Sequence, residues 1–582
     1  MLKAPILPGR SPQRVTTSRF MGYLHKDQAG DGLWYDMENM SADAYPAMRT
    51  RKRRGIVKTM TAPGGLIAKD ALCYVDGGTL YVNHLATAVS GLRGGEKQLV
   101  SMGAYVLIFP DKVYYNTENP SDFGSMEAEY NNQGAVTYEP CDIDGNVYSI
   151  SSTSASEPEN PVNGQVWLDS SSGTLYQFSV SISGWTEIPT VYTRITFTSQ
   201  GQVPRLFSRY DGAELSGADM EGLDGSKVIF ALGGEEGTEA DWIVVIGPAE
   251  NSRTVENSEI SISRKLPQMD FVCEAQNRLW GCYYGMSGGR VVNEIYGSAL
   301  GDFKNFRQYQ GLATDSWAAS VGSDGQWTGA VNYLGHPCFF KEGRIHTVTI
   351  SAAGAHRLDE TVCRGVQKGS HKSLQVVGET LFYKSITDIC AWQGGFPQSV
   401  SEALGDVRYE NACAGAWGQK YYLSMQSAKG WNTFCYDIGK GIWTREDKLH
   451  AMSWAAVGEE LFAIDAENGA LLAVNGTEGE KESLLPWMVE TGTERYETVD
   501  KKYVQRYTIS LTMARGSSAA VYLQYDSSGD WIQSGEIRAP GTGTVTLPIR
   551  PRRCDHLKLR IVGAGDVTIY AISRLLAGGS ER

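Results

Sequence analysis

One pattern recurs along the 582-residue chain and limits its possible folds: an apolar strand, a tight turn built on Gly or Asp, and a second strand rich in Tyr, Phe or Val. Such turns suit hairpins with loops of about two to four residues. Clear instances are "ALCYVDGGTLYVNH" from Ala71, "KQLVSMGAYVLIFPDKVYYNT" from Lys97, "HPCFFKEGRIHTVTI" from His336 and "GEELFAIDAENGALLAVNG" from Gly458. The repeat predicts an all-β chain with a β-propeller of about six to eight blades, because units of roughly 40 to 50 residues with several short strands typify that architecture.

Two segments share a shorter motif in which a Tyr and a small polar residue precede Asp-Phe. They are "VYYNTENPSDFGSM" from Val113 and "EIYGSALGDFKNFRQ" from Glu294. A phosphate-binding loop would need a Gly-rich turn that runs into a helix, whereas aromatic, β-prone residues follow here. We therefore interpret Asp122 with Phe123, and Asp302 with Phe303, as equivalent corners of two blades. Each Asp is expected to cap turn amides and each Phe to fill the wedge between sheets.

Two intervals break the repeat. A polar, Ser-rich stretch is followed by several short alternating strands, and after Pro486 longer alternating strands suit two packed antiparallel sheets. The predicted organisation is an N-terminal arm over residues 1–55, first propeller strands over 56–126, an inserted β-rich region with a small barrel over 127–250, the remaining blades over 251–485 and a C-terminal β-sandwich over 486–582.

Charge and cysteine usage exclude several classes of protein. The net charge of −13 argues against a nucleic-acid grip, which relies on Lys and Arg to displace counterions from phosphates. The ten cysteines are scattered singly without a Cys-x-x-Cys pair, which favours free, mostly buried thiols over zinc sites or disulfides. Since no apolar run approaches the length of a membrane span, we expect no membrane segment and folding in a cytoplasm.

Motifs that carry chemistry are weak in this sequence. "GMSGG", from Gly285 to Gly289, matches a nucleophile pattern, but a strand follows where a helix is required, so a hairpin turn is predicted. "DIDGN", from Asp142 to Asn146, lacks the Glu that ends a calcium loop and predicts an Asx turn.

The histidines give no metal signature, and His336, His346 and His356 are spaced across strands and turns. We therefore assign no catalytic, cofactor-binding or metal-binding residue, and expect neither a cofactor nor enzymatic activity.

The segment "GLWYDMENMSADAYPAMRTRKRRG", from Gly32 to Gly55, combines an Asn-containing turn with a basic ending just before the first predicted blade. In this order it resembles the N-terminus of bacteriophage β-propeller tail proteins, the hub or nozzle group of short-tailed phages. "NEIYGSALGDFKNF" and "YDIGKGIWTRED" are similar to blade strands and corners of that family, and "RCDHLKLRIVGAGDVTIYAISR" is similar to its C-terminal β domain.

The resemblance implies a virion structural protein that forms a homo-oligomeric ring, a hexamer, below the portal and adaptor. It is made in the bacterial host cytoplasm, and genome DNA passes through the lumen without specific binding. An acidic lumen fits this role because carboxylates repel the phosphate backbone. Basic residues of the arm are expected to meet an acidic neighbouring subunit, and we predict subunit or partner contacts at Tyr45, Pro46, Arg49 and Arg51.

Two other function classes stay open from the sequence. A distal tail adhesin would bind host surface glycan through stacking residues such as Trp167, Trp185 or Trp443, although aromatic residues at strand ends more often fill blade interfaces. A glycan hydrolase would need paired carboxylates that converge in the propeller channel.

Overall fold

The computed structural model describes residues 12–351, 355–496, 500–538 and 541–578. The protein is 54% strand and 2% helix. Within the described ranges, helix is limited to one α-helical turn, Val203–Leu206, and two 3-10 turns, His371–Ser373 and Glu402–Leu404. The all-β prediction is confirmed.

Seven sheets, numbered here as blades 1 to 7 in chain order, are antiparallel meanders of short strands. Blade 1 contains Pro63–Lys69, Ala71–Asp76, Thr79–Val82 and Leu85–Ala86. Blade 2 contains Gln98–Met102, Tyr105–Phe109, Val113–Asn116 and Phe123–Ser125. Blade 3 contains Phe271–Ala275, Arg278–Ser287, Arg290–Gly297 and Trp317–Ser320. Blade 4 contains Gly329–Tyr333, His336–Lys341, Arg344–Ile350 and His356–Val362. Blade 5 contains Gln375–Val377, Thr380–Lys384, Ile389–Trp392 and Gln398–Ser399. Blade 6 contains Glu410–Trp417, Lys420–Ser427, Gly430–Asp437 and Ile442–Arg445. Blade 7 contains Ala451–Val457, Glu460–Asp465, Ala470–Ala473, Gly55–Thr59 and Glu480–Lys481.

Tight turns between strands depend on local sequence. Gly378 and Gly418 join the first two strands of blades 5 and 6 at φ values of +62° and +58°, where a side chain would be strained. This is the hairpin chemistry that the repeat predicts.

The seven blades close into a ring, the arrangement of a β-propeller. Hydrophobic clusters join each blade to the next, including blade 7 to blade 1. The strand Gly55–Thr59 comes from the N-terminal part of the chain and pairs with Ala470–Ala473 of blade 7. The ring is therefore closed by strands that are distant in sequence, which removes an exposed sheet edge.

A two-sheet sandwich is built from both ends of the chain. One sheet contains Gln13–Thr17, Met40–Ser41, Met48–Thr50, Lys502–Met513, Gly541–Pro548, Arg553–Cys554 and Val567–Gly578. The other contains Gly22–Tyr23, Leu33–Glu38, Pro486–Thr491, Ser518–Tyr525, Ile532–Ile537 and Leu557–Ala564. The described part of the predicted arm 1–55 thus folds with the C-terminal domain, and its last residue already belongs to blade 7.

An insert leaves the propeller after blade 2 and returns before blade 3. Its first sheet contains Ala128–Asn131, Gly212–Ser216, Gly225–Val228 and Ser261–Arg264. Its second contains Gly134–Cys141, Tyr192–Thr196, Ala231–Glu235, Glu239–Ile246 and Arg253–Ser258, and its third contains Ile150–Ser154, Val166–Asp169, Thr174–Ser179 and Gly184–Glu187. The first two share a core, so the insert is a pair of packed sheets where the sequence predicts a small barrel, and it extends to Arg264 rather than to residue 250.

The predicted blade corners lie where expected. Asp122 and Asp302 both fall between the third and fourth strands of their blades. Asp302 accepts a hydrogen bond from the Lys304 amide at 2.9 Å, and Phe303 is buried between blades 2 and 3. Asp122 instead accepts from side chains, the Tyr105 hydroxyl at 2.9 Å and the Asn116 amide at 3.0 Å. The prediction that Asp122 caps turn amides is therefore wrong, because side-chain donors occupy its carboxylate.

Candidate interaction site

The basic motif from Arg49 to Gly55 presents its charges in two directions. Arg51 and Arg54 point inward and are only 6% and 2% exposed. Arg49 and Lys52 are exposed, and Arg53 is half-buried. The motif therefore combines an internal anchor with an outward-facing basic surface.

Arg51 joins three parts of the chain. Its guanidinium donates to Asn39 Oδ1 at 2.7 Å, to Glu482 Oε2 at 2.8 Å and to Asp447 Oδ2 at 3.3 Å. Asn39 belongs to the arm, Asp447 to the linker between blades 6 and 7, and Glu482 to the linker that enters the sandwich. All of these partners come from the same chain.

Arg54 is the most deeply buried cation of this network. Its guanidinium lies 2.6 Å from Asp447 and 2.7 Å from Glu446, and its backbone amide donates to Glu482 at 2.9 Å. Burial disfavours the charged guanidinium, but the surrounding carboxylates outweigh this effect and raise the pKa of Arg54. The network is an ionic joint between propeller and sandwich, in which two arginines meet three carboxylates.

The predicted contact residues divide accordingly. The side chain of Arg51 is engaged inside the chain, and acidic residues of this chain meet Arg51 and Arg54 where the sequence predicts an acidic neighbouring subunit. Any influence of Arg51 on subunit contact would be indirect. Arg49 and Pro46 are exposed, while half-buried Tyr45 accepts a hydrogen bond from Arg19. Contacts by Tyr45, Pro46 and Arg49 stay predictions.

The acidic partners had no clear signal in the sequence. Glu446 and Asp447 follow the last strand of blade 6 directly, and Glu482 lies 35 positions beyond Asp447 among other acidic residues. Only the closure of the propeller beside the sandwich brings these three carboxylates to the basic motif.

The turn His371–Ser373, between blades 4 and 5, contacts residues of or next to blades 2, 3 and 7. Lys372 Nζ lies 2.9 Å from Glu96, before the first strand of blade 2, and donates to the Met452 carbonyl of blade 7 at 2.6 Å. The His371 ring packs on Phe271 of blade 3 with centroids 5.1 Å apart. Burial and neighbouring Lys372 lower the pKa of His371 to about 4, against the opposing effect of Glu96. The Glu96 carboxylate is thus paired with the Lys372 amine, whereas a glycoside hydrolase uses two carboxylates together.

The weaker motifs are turns, as predicted. Gly288 and Gly289 form the two-residue turn between paired Ser287 and Arg290. Asp142 Oδ1 accepts the amides of Asp144 and Asn146 at 3.0 and 2.9 Å, which is an Asx turn.

Thiols and histidines likewise occupy structural positions. All ten cysteines are free and nine are buried, which confirms the thiol prediction. His346 is buried against Glu360 at 2.9 Å, and His356 packs beside Trp280. In the described ranges, no three His, Cys, Asp or Glu residues are grouped so that they could hold a metal ion.

The three tryptophans considered for glycan stacking differ in setting. Trp443 is buried and donates to the Val400 carbonyl at 2.8 Å, so it belongs to the core. Trp167 is also buried, and its indole nitrogen donates to the Ser154 hydroxyl at 3.0 Å. Trp185 is half-buried beside it on the third sheet of the insert, with ring centroids 5.5 Å apart.

A cavity of about 590 Å³ lies between the arm and the segment Thr491–Tyr496 of the sandwich. Buried Arg574 lines it and donates to Glu494 and Thr17. Asp31 lies 3.5 Å from the same guanidinium. The charge of Arg574 is thus balanced within the chain.

Comparison with known proteins finds similarity among solved structures. No family model matches the chain, and no curated protein matches it. Solved structures that align with it include an exo-beta-1,3-galactanase from Phanerochaete chrysosporium, with TM-score 0.22, 8% identity and coverage of 52% of this chain and 94% of that chain. A glycoside hydrolase family 43 arabinoxylan arabinofuranohydrolase from Bacillus subtilis aligns with TM-score 0.18, 9% identity and coverage of 53% and 95%.

These neighbours contradict the prediction that the protein is not an enzyme, and that prediction is withdrawn. TM-scores this low assign no activity to this chain. Regarding membranes, no helix within the described ranges has the length and apolar character to cross a bilayer.

Proposed function

We propose that the protein is a structural component of a bacteriophage tail, a hub or nozzle that assembles as a ring around the DNA-exit channel below portal and adaptor. One observation carries the proposal: the segment Gly32–Gly55, on which the family resemblance rests, forms the joint between propeller and sandwich. The segment supplies strands to both sandwich sheets and ends in blade 7. Such a joint suits a part that must hold its shape while DNA passes.

A shared hydrophobic core supports the same role. Arm residues such as Trp34 and Met37 cluster with Phe434 of blade 6 and Trp487 of the sandwich. Burial of aromatic and aliphatic side chains in one continuous core couples the elements that share it. The acidic net charge of −13 would keep genome DNA from adhering to a lumen lined by this protein.

The proposal is tested by light-scattering mass and negative-stain imaging of the purified protein, alone and mixed with a complex of portal and adaptor. We expect rings with an open lumen, or docking onto the adaptor. A monomer over the whole concentration range that also ignores the adaptor would overturn the proposal.

The arm residues require separate variants in this test. Arg51→Ala would remove an internal ion pair and change the fold of the joint, whereas Arg49→Ala changes an exposed side chain. Arg49→Ala should therefore weaken assembly without a change in unfolding temperature, and normal ring formation by this variant would exclude Arg49 as a contact.

A second candidate is a distal tail adhesin that binds host glycan, favoured by the aromatic side chains on the third sheet of the insert. Trp167 stacks on Tyr176 with centroids 5.2 Å apart, and Phe178 meets Trp185 at 5.4 Å. A glycan-binding screen with the wild type and Trp185→Ala tests it: binding that the variant loses would support an adhesin, and absence of binding would exclude this candidate.

A further inference from the structure

The third sheet of the insert belongs to a strongly acidic segment. Residues 143–190, called the acidic module, contain five carboxylates and no Lys, Arg or His. One face of its sheet packs on the rest of the insert through Val166, Leu168 and Leu175. The module therefore presents an acidic surface that its own residues cannot neutralise.

Two turns of the module expose aliphatic side chains, and the loop that leads to one of them carries carboxylates. Val162, Val180 and Ile182 are 67%, 58% and 64% exposed. The Val180 amide donates to Asn163 Oδ1 at 3.0 Å, which holds the two turns together. Exposed Glu157 and Glu159 lie on the loop that leads to Val162. These five residues, Glu157, Glu159, Val162, Val180 and Ile182, are called the module patch.

A patch of this composition selects its partner by charge. Exposed aliphatic side chains rimmed by carboxylates are typical of protein contacts. Nucleic acid and other polyanions would be repelled, because the module has no cation to pair with them. A basic protein surface is the complementary partner.

The chain carries such a surface at the other side of the propeller. Arg49, Lys52 and Arg53, called the basic strip, project from the joint that buried Arg51 and Arg54 fix in place. Lys52 lies 5.9 Å above the ring of Trp417, and Arg53 is only 3.9 Å from its acidic neighbour Asp566. Arg49 and Lys52 are the exposed cations of the strip, which borders an aromatic ring that the aliphatic side chains could cover.

The positions of the two surfaces suggest how they meet. The insert leaves the ring between blades 2 and 3, and the basic strip lies at the linker between blades 6 and 7. Three blades separate these points one way around the ring and four the other way. We infer that the module patch of one copy binds the basic strip of a second copy.

This contact is heterologous, because different surfaces of the two copies meet. Repeated heterologous contacts close into a ring when the rotation between copies allows it. The inference rests on the proposed function, to which it adds the interface between subunits. Since both surfaces carry exposed charge, the contact should weaken at high salt.

The test exchanges charges between the two surfaces. Arg49→Glu with Lys52→Glu reverses the strip, and Glu157→Lys with Glu159→Lys reverses the module patch. Each double variant alone should lower the ring fraction about tenfold or more at a fixed protein concentration, measured by light scattering. An equimolar mixture of the two, and a chain that carries all four changes, should recover rings.

Matched controls change exposed charges elsewhere. Arg290→Glu with Lys429→Glu, and Glu118→Lys with Glu467→Lys, alter net charge equally at exposed positions outside both surfaces. They should leave ring formation unchanged, and circular dichroism melts establish that all variants are folded.

The outcomes distinguish failure of the inferred interface from failure of the proposed function. If the wild type forms rings that the reversed variants retain, or that the mixture does not recover, the inferred interface is overturned and the proposed function stands. If the wild type is monomeric at all concentrations and ignores portal and adaptor, the proposed function is overturned together with the interface.

Discussion

The propeller carries two attached domains through two very different joints. At the sandwich, one hydrophobic cluster runs without interruption from blades 5 and 6 through the arm into both sandwich sheets. At the insert, the core is confined to the insert itself, and contacts to blade 3 include polar ones. The Asn305 side chain donates to the Tyr210 carbonyl at 3.0 Å, and Arg307 pairs with Glu214.

The difference shows that connection along the chain does not decide which domains unfold together. Elements that share a buried core lose it together, so propeller and sandwich should behave as one cooperative unit. Polar contacts at a surface contribute little to cooperativity, since water replaces them when they open. The insert should therefore open or unfold without the rest.

The largest loss of stability is expected when a side chain of the shared hydrophobic core is truncated. Trp487 is 1% exposed within that cluster, and Trp487→Ala should lower the free energy of unfolding by about 3–5 kcal/mol because it leaves a large cavity. Differential scanning calorimetry should show the propeller and sandwich melting together at a lower temperature.

The matched variant in the insert is Phe207→Ala, since Phe207 is 2% exposed in the separate core. It should lower the transition of the insert and leave that of the propeller unmoved. The comparison between joints fails if Trp487→Ala leaves the propeller transition in place, or if Phe207→Ala lowers both.

A slightly smaller effect is expected at the ionic joint. Arg54→Ala leaves Glu446 and Asp447 without their main cationic partner and should cost about 3 kcal/mol, because an uncompensated buried charge is poorly solvated. Denaturant titration measures this loss. Exposed Lys52→Ala is the control and should shift stability by about 0.5 kcal/mol or less; a similar shift in both variants would show that the network adds nothing to the joint.

Acid should weaken the sandwich joint. Burial raises the pKa of Asp447 and of Glu482, but Arg54 and Arg51 outweigh it and hold both values below the ordinary range. A carboxylate with a lowered folded-state pKa stabilises the fold above its unfolded-state pKa of about 4 and loses that contribution as pH falls through the folded-state value. Stability should thus fall below about pH 4.

Denaturant titrations from pH 6 to pH 2.5 check this effect. Arg54→Ala should show a shallower acid dependence than the wild type, because much of the pairing that lowers the pKa of Asp447 is gone. Equal slopes would exclude this network as the source of acid sensitivity.

The smallest effect is expected at the insert joint. Asn305→Ala removes the hydrogen bond to the Tyr210 carbonyl, together with the bonds of this side chain to Gln308 and to the Arg307 amide, and should cost about 1–2 kcal/mol. Hydrogen exchange should become faster around residues 208–216 and stay unchanged in the sandwich. Faster exchange in the sandwich as well would mean that the two joints are coupled.

Local sequence was sufficient for most of the strands. Hairpins such as Ala71–Asp76 with Thr79–Val82 were predictable because apolar alternation and a Gly turn act over a few residues. The Asp302–Phe303 corner was predictable for the same reason. The fate of the arm was not, since Met48–Thr50 pairs with Val567–Gly578, more than 500 positions away.

The same distinction between local sequence and tertiary structure applies to the candidate site. The sequence alone determined that a basic motif precedes the first blade, that the cysteines stay free and that the chain is built from β-hairpins, because these properties depend on composition and near neighbours. Only the tertiary structure decided that Arg51 and Arg54 face inward and Arg49 and Lys52 outward. Ring closure brings Glu446, Asp447 and Glu482 to one side of the motif, and burial makes the pairing of those charges obligatory.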